Sequence, residues 1–271
     1  MTKGKKLAVL GAGKMGETLI SGMLDGGIIT RDKVVATAKH SDRLELLKEK
    51  YKIAATSNNR KAVKGADIVL LAVKPQAVKE LLEEIRGELT RQQVVISVVA
   101  SVTTAFIERN LNMPIPVVRA MPNTPCLLRA GMTAICKGLY AEDQHLNEAQ
   151  RMFDSVGRTL ILDEKHMDAV TGLSASGPAF IYIIIESLAE AGVKVGLPRT
   201  VATELAAQMT QGAARMVLET KEHPALLKDI VTTPAGCTID GILELEEGKL
   251  RVTLIKAVVK ATQRAAELLE N

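Results

Sequence analysis

The sequence predicts an α/β protein in which an N-terminal doubly wound sheet is followed by an all-helical C-terminal domain. Three observations carry this. Short β-branched runs alternate with helical patterns as far as Leu162, a glycine-rich turn follows the first run, and strand runs vanish beyond Asp163. In order, the runs are "KLAVL" (6–10), "KVVAT" (33–37), "DIVLLAV" (67–73), "QVVISVV" (93–99), "IPVVRA" (115–120) and "MTAIC" (132–136). Each is apolar on both faces, which suits parallel strands covered on both sides by crossover helices. Later, "PAFIYIIIESLAEAG", "RTVATELAAQMTQGAARMVLE" and "LRVTLIKAVVKATQRAAELLE" read as helices, punctuated by "GLPR" and "EHPA". Domains are expected at 1–162 and 163–271, with a direct passage into a helix and no flexible linker. A chain of 271 residues is long enough to build two cores.

Composition narrows the function classes. Aromatic residues make up 2% and Trp is absent, so stacking platforms for single-stranded nucleic acid are scarce. The net charge of +4 is mild and its cations are scattered, which suits solubility with some attraction for anionic ligands. No nucleic-acid partner is expected. Cys126, Cys136 and Cys237 are an odd set without CxxC spacing, as in reduced thiols of a cytoplasmic protein. The four histidines are far apart, so no metal site is expected. The N-terminal apolar run is broken by Gly11, too early for a signal peptide, and "AFIYIII" is short of a membrane span. A soluble, cytoplasmic protein with no membrane partner is expected.

The helix from Pro178 is apolar nearly all round, with Ile181, Ile183, Ile184 and Ile185 in near succession. A helix without a solvated face needs cover on every side, and a second subunit is the expected cover; the alternative is a helix wrapped by its own neighbours.

"LAVLGAGKMGETLISGML" places Gly11, Gly13 and Gly16 between a strand and a helix. The first glycine makes the tight turn, the second admits a pyrophosphate and the third lets helix pack on strand, as in a Rossmann-like dinucleotide site. The acidic residue that would bind an adenosine ribose should end the second strand, yet "VVATAKHSDR" has Ala36, Thr37 and Ala38 there, then Lys39, His40, Ser41 and Arg43. Losing the carboxylate and gaining cations favours NADP over NAD. The alternative is that Lys39 and Arg43 merely open the next helix on a solvated face. "LLAVKPQ" ends another strand in Pro75, which points to a cofactor-facing turn at the carboxyl edge of the sheet; Lys74 reads equally well as an exposed helix-start residue.

Across its full length the chain resembles the pyrroline-5-carboxylate reductases, through "GAGKMG", "AVKP", "VVRAMPNTP", "DAVTGLSASGPAF", "GLPR" and "DIVTTPAGCTIDG". The resemblance implies reduction of a cyclic imine carboxylate, (S)-1-pyrroline-5-carboxylate, to L-proline with NADPH or NADH as the final step of proline biosynthesis. It implies a helical domain that intertwines with a partner in a homodimer or ring of dimers. It places the pyrophosphate loop at Gly11, Ala12, Gly13, Lys14, Met15 and Gly16, with Ala38, Lys39 and His40 beside the ribose and Asn59 also on the cofactor. Ala72, Val73, Lys74, Pro75 and Ala100 would line the nicotinamide side near Met121 and Asn123, and Glu164, Gly236, Cys237 and Thr238 would surround the substrate. Ser101, Ala175 and Ala235 stand where the family often has Gly, and Cys237 where Thr or Ala is commoner, which puts the local backbone torsions in question.

The chemistry agrees. Hydride delivery to a C=N bond needs a protonated imine, an anchored carboxylate and a donor face near the carbon, with no metal or covalent nucleophile. "LSASGP" lacks a hydrolase elbow, and its Ser174 and Ser176 read as hydrogen-bonding residues at a break between helices. A hydroxyacid dehydrogenase would place a Lys on the central helix, where none occurs before Lys194. A dinucleotide-sensing protein would not need the "TTPAGCT" loop. In that loop Cys237 and Thr238 open a helix whose first N–H groups hold a carboxylate without a cation, and Thr238 reaches the ring nitrogen; alternatively Thr238 only caps its helix.

Overall fold

The computed structural model describes residues 4–267. The chain packs as two units, one running to Ser176 and joined by the chain from Lys260, the other Gly177–Val259.

The first unit is built on β1 (Leu7–Leu10), α1 (Lys14–Asp25), β2 (Val34–Thr37), α2 (Ser41–Tyr51), β3 (Ala54–Thr56), α3 (Asn59–Val63), β4 (Ile68–Leu71) and α4 (Val78–Ile85). It continues with β5 (Val94–Ser97), α5 (Thr104–Leu111), β6 (Val117–Met121), β7 (Gly131–Lys137), α6 (Asp143–Asp154), β8 (Gly157–Ile161) and α7 (Met167–Val170). The strands form one eight-stranded sheet in the order β3-β2-β1-β4-β5-β6-β7-β8. Alternation along β1 shows how it is covered. Leu7 and Val9 join a core with α1, α2 and α6 on one face, while Ala8 and Leu10 join a core with α3, α4 and α5 on the other. Because β2 and β4 pair with β1 on opposite sides, the strand order reverses between β1 and β4, the place where open α/β sheets take their ligands.

The structure departs from the expected strands in two ways. Strand β7 runs antiparallel to β6, because the connection between them holds only a short 3₁₀ turn, Thr124–Leu128, and no crossover helix that could return the chain in parallel. The two strands without a β-branched apolar run, "AAT" of β3 and "GRTLI" of β8, form the edges of the sheet. An edge is half solvated, so its strand carries no continuous apolar signal.

Residues 163–176, which the sequence pattern groups with the helical half, pack with the sheet through buried Met167 and through Arg119. The helical unit has α8 (Gly177–Lys194), α9 (Arg199–Thr220), α10 (Pro224–Val231), α11 (Cys237–Glu247) and the start of α12 (Leu250–Glu267). The last expected helix runs in sequence to Glu270, and its final residues lie outside those described. Between α7 and α8 the helix widens into a π-turn over Thr171–Ala175, with the Ser176 N–H donating to Thr171 O at 3.0 Å. This is the break read from "LSASGP". Within the helical unit, Gly192 lets α8 approach α9, since a Cβ there would lie 2.8 Å from the Ala202 Cβ.

Candidate active site

Each fingerprint glycine has a separate physical reason. Gly11 adopts φ 81°, and a Cβ on it would lie 2.5 Å from Val73 Cγ1, so the turns after β1 and β4 touch at this point. A Cβ on Gly16 would press against Gly11 O at 3.3 Å and against Ala72 and Val9, which is the helix-on-strand contact. A Cβ on Gly13 would meet nothing nearer than Gly11 O at 4.0 Å, so its flank is open. Gly13 is also the N-cap of α1 and gives it no side-chain bond, so the first N–H groups of the helix are left for an anion. These residues fit a dinucleotide pyrophosphate.

The loop is pinned from two sides. Thr37 accepts from Gly11 N at its Oγ1 (3.1 Å) and from Ala12 N at its carbonyl (2.7 Å). Opposite, Arg43 donates through Nε to Ala12 O (2.8 Å) and through Nη2 to Gly13 O (3.1 Å) and Glu17 Oε2 (2.5 Å). Glu17 Oε1 accepts from Lys50 Nζ at 2.9 Å and Tyr51 Oη at 2.7 Å. Burial raises the Glu17 pKa, but hydrogen bonds from Tyr51, Lys50 and Arg43 outweigh it and hold the carboxyl at about 2. Neither the role of Glu17 nor the committed state of Arg43 was visible in the sequence, because the partners are 26 or more residues apart.

Among the other expected cofactor residues, Lys39 and His40 are exposed at the end of β2, with Ala38 half-buried before them. Ala72 and Val73 sit over the fingerprint, Lys74 is exposed, and Pro75 opens a short 3₁₀ turn. The Asn59 amide donates to Glu84 Oε2 at 2.8 Å. Ala100 packs beside buried Met121. The next residue, Ser101, is buried at φ 67°, and its Oγ has no hydrogen-bond partner.

Glu164 is held inside the first unit. Its carboxylate accepts from Thr104 N (2.8 Å) and Thr104 Oγ1 (2.6 Å) and pairs with Arg119 Nη1 (3.3 Å). Arg119, 1% exposed, also reaches Asp168 at 3.3 Å. Asn123 accepts from Met132 N at 2.9 Å and donates to Ser174, so "MPNTP" grips the π-turn. Burial pushes the Cys136 thiol, beside Arg119 on the neighbouring strand, up to about 12.

In the helical unit, "TTPAG" makes a turn closed by Gly236 N donating to Thr233 O at 3.1 Å, with Ala235 at φ 57° in its third position. A Cβ on Gly236 would lie 2.4 Å from Thr233 Oγ1, so a larger residue here would have to turn the Thr233 side chain aside. Gly236 is the N-cap of α11 without a side-chain bond, and Cys237 and Thr238 occupy the first turn. Thr238 therefore lies inside the helix, past the capping position. Cys237 is exposed and Thr238 half-buried. Of the three residues standing in place of Gly, Ser101 and Ala235 take positive φ and Ala175 does not.

Comparison with known proteins gives the same assignment. Residues 164–268 match the family model for pyrroline-5-carboxylate reductase dimerisation, and residues 6–101 that for NADP oxidoreductase, coenzyme F420-dependent. A pyrroline-5-carboxylate reductase of Methanosarcina acetivorans is 41% identical over 97% of this chain and 98% of its own. The solved structure of a pyrroline-5-carboxylate reductase from Coxiella burnetii superposes with TM-score 0.89 at 36% identity, covering 97% of this chain and 98% of that one. That of Plasmodium falciparum pyrroline carboxylate reductase, with NADP bound, gives TM-score 0.91 at 29% identity over 99% and 100%. With its fingerprint, its helical half and its near full-length relatives in agreement, the chain belongs to the pyrroline-5-carboxylate reductase family.

Proposed function

We propose that two half-sites, one in each unit, divide the work of the family's reaction. The chain is an NADP-dependent oxidoreductase that reduces pyrroline-5-carboxylate in proline biosynthesis, and it works as a homo-oligomer. NADPH supplies the hydride when bound. In the first unit, the N–H groups at the start of α1 hold the pyrophosphate where the flank of Gly13 is open. Exposed Lys39 and His40 meet the ribose 2′-phosphate, since the end of β2 and the residue after it, Ala36, Thr37 and Ala38, carry no carboxylate to repel it. Ala72, Val73, Pro75 and Ala100 shape the nicotinamide side, with Asn59 also on the cofactor and Glu164 beside the substrate. NADH serves as a weaker alternative donor.

In the second unit, the uncapped start of α11 at Gly236 and Cys237 holds the substrate carboxylate. Thr238 donates to or accepts from the ring nitrogen, which steadies the iminium. A threonine hydroxyl is too weak an acid to be the source of the proton, so it relays one that solvent supplies. The observation that carries this reading is a helix N-terminus with no side-chain cap, directly after the tight turn of residues 233–236.

The dimer, or a ring of dimers, forms through the helical unit. The stretch Glu164–Lys194 is long and apolar enough to cross a membrane; we read it as an interface helix because the dimerisation model covers it. The free Cys126, Cys136 and Cys237 fit the cytoplasm. The deciding assay is NADPH oxidation on addition of pyrroline-5-carboxylate, with proline as product. No turnover, or equal kcat/KM for NADPH and NADH that Lys39→Ala leaves unchanged, would overturn the corresponding part.

A further inference from the structure

We infer that Arg43 is a positioning residue for the pyrophosphate loop: by holding the carbonyls of Ala12 and Gly13, it turns the N–H of Lys14 toward the bound anion. The geometry starts from the planar trans peptide, in which C=O and N–H point in opposite directions. Arg43 Nη2 takes Gly13 O at 3.1 Å beside the helix bond that the same oxygen accepts from Glu17 N at 2.9 Å, and this peptide carries the Lys14 N–H, which faces away from both donors. Arg43 Nε takes Ala12 O at 2.8 Å, and the N–H of that peptide, on Gly13, turns back to Gly11 O at 2.7 Å. With Gly11 N and Ala12 N already bonded to Thr37, every peptide group from Gly11 to Gly13 has a stated partner, and the Lys14 N–H is aimed at the open flank of Gly13.

Glu17 keeps Arg43 in this place. An acid in the first turn of α1 stabilises the helix N-terminus but repels an anion bound there. Arg43, Lys50 and Tyr51 together cover its two oxygens, so the carboxylate is neutralised and the cluster keeps one positive charge over. A residue that only joined α2 to α1 would need the Glu17 pair alone; two further bonds to the loop backbone are what a positioning role requires. A guanidinium fork spans three acceptors at once, which a lysine amine does not. Arg43 gives its Nε and Nη2 to protein groups, and the 2′-phosphate is assigned to Lys39 and its neighbours.

The inference rests on the reading of residues 11–16 as the pyrophosphate site, and two probes separate them. Calorimetric titration of the full chain uses ADP, which has a pyrophosphate and no 2′-phosphate, and 2′-AMP, which has the reverse. For Arg43→Met, ADP binding is expected to weaken about 10-fold, with 2′-AMP unchanged and the NADPH to NADH ratio of KM unchanged. Arg43→Lys should recover only a minor part. Selective loss of 2′-AMP would make Arg43 a phosphate ligand, and intact binding of both probes would make it a surface brace; either overturns the inference. If Arg43→Met lowers Tm and loses both probes, Glu17→Gln decides: about 3-fold weaker ADP binding supports the inference, and none overturns it. Wild-type protein that binds neither ADP nor NADP would instead overturn the site itself.

Discussion

In the first unit, β1 leaves Leu7, Ala8, Val9 and Leu10 wholly out of water between two layers of helices. In Gly177–Val259, the buried apolar side chains are Ala189, Ala202 and Ala206, while Ile183, Leu205, Met209, Leu218 and Leu243 are all more than half exposed. The contrast teaches that apolar content does not by itself make a core. Parallel strands bring sequence neighbours into two closed layers, whereas helices joined in succession leave broad apolar faces exposed. The first unit closes its core within its own chain; the second matches the family model for dimerisation, and its exposed apolar side chains suit that role.

The largest test of this difference compares concentration dependence. Leu82→Ala, in the sheet unit, should cost about 2–5 kcal/mol at every protein concentration. Ile183→Asp, 62% exposed in the single chain, should raise the dissociation constant of the oligomer by more than about 100-fold and make Tm fall on dilution. Sedimentation of the wild type as a monomer at micromolar concentration would end the comparison.

Next in size is the division of chemistry. Thr238→Val, in the helical unit, should lower kcat/KM for the imine by about 10- to 1000-fold while NADPH affinity and Tm stay near wild type. A less stable but fully active variant would show that the hydroxyl serves the helix alone.

Acid should separate the units more gently. The Glu17 carboxyl is held at about 2, below its ordinary 4.5, so its contribution is present above about pH 4.5 and is lost as pH falls toward 2. The cost to the sheet unit should be roughly 2–3 kcal/mol, and Glu17→Gln should flatten that part of the pH–stability curve. In the helical unit, Arg199 lowers Glu190 and Arg251 lowers Glu246, but both carboxylates are at the surface, where screening leaves little effect. An unchanged slope in Glu17→Gln would count against the Arg43 cluster as its source.

The smallest effect sharpens the contrast in backbone strain. Ser101→Gly removes both a left-handed φ of 67° and an unpartnered buried hydroxyl, and should raise stability by about 1 kcal/mol. Ala235→Gly relieves only its φ of 57° in an exposed turn, so its gain should be smaller. Thermal melts of the two variants rank them, and a loss at Ser101 would mean that its hydroxyl has a use the unbonded geometry hides.

Much of the site was legible because its signals are local. "GAGKMG" specifies a turn, an open flank and a close packing within residues 11–16, and "TTPAGCT" specifies a turn running into a helix; both fold as their spacing requires. The strands β3 and β8 were not legible, since edge strands carry no two-faced apolar pattern, nor was the reversal at β7, which depends on what the intervening chain fails to form. Arg43 shows the other limit. Its sequence position fits a phosphate ligand and a helix-start cation equally well, and the choice depends on Glu17 and on carbonyls that approach only after folding.

By itself, then, the sequence determined the two-faced apolar strands and most of the helices, where the glycine-rich turn falls and which family the chain resembles, because each depends on neighbours within a few residues. Tertiary structure alone decided that Glu164 binds Thr104 and Arg119, that Asn123 holds the π-turn through Ser174, and that Arg43 grips the fingerprint loop. Those bonds join residues 30 to 60 positions apart, and a polar side chain of several donors chooses its partner by the geometry of the closed fold.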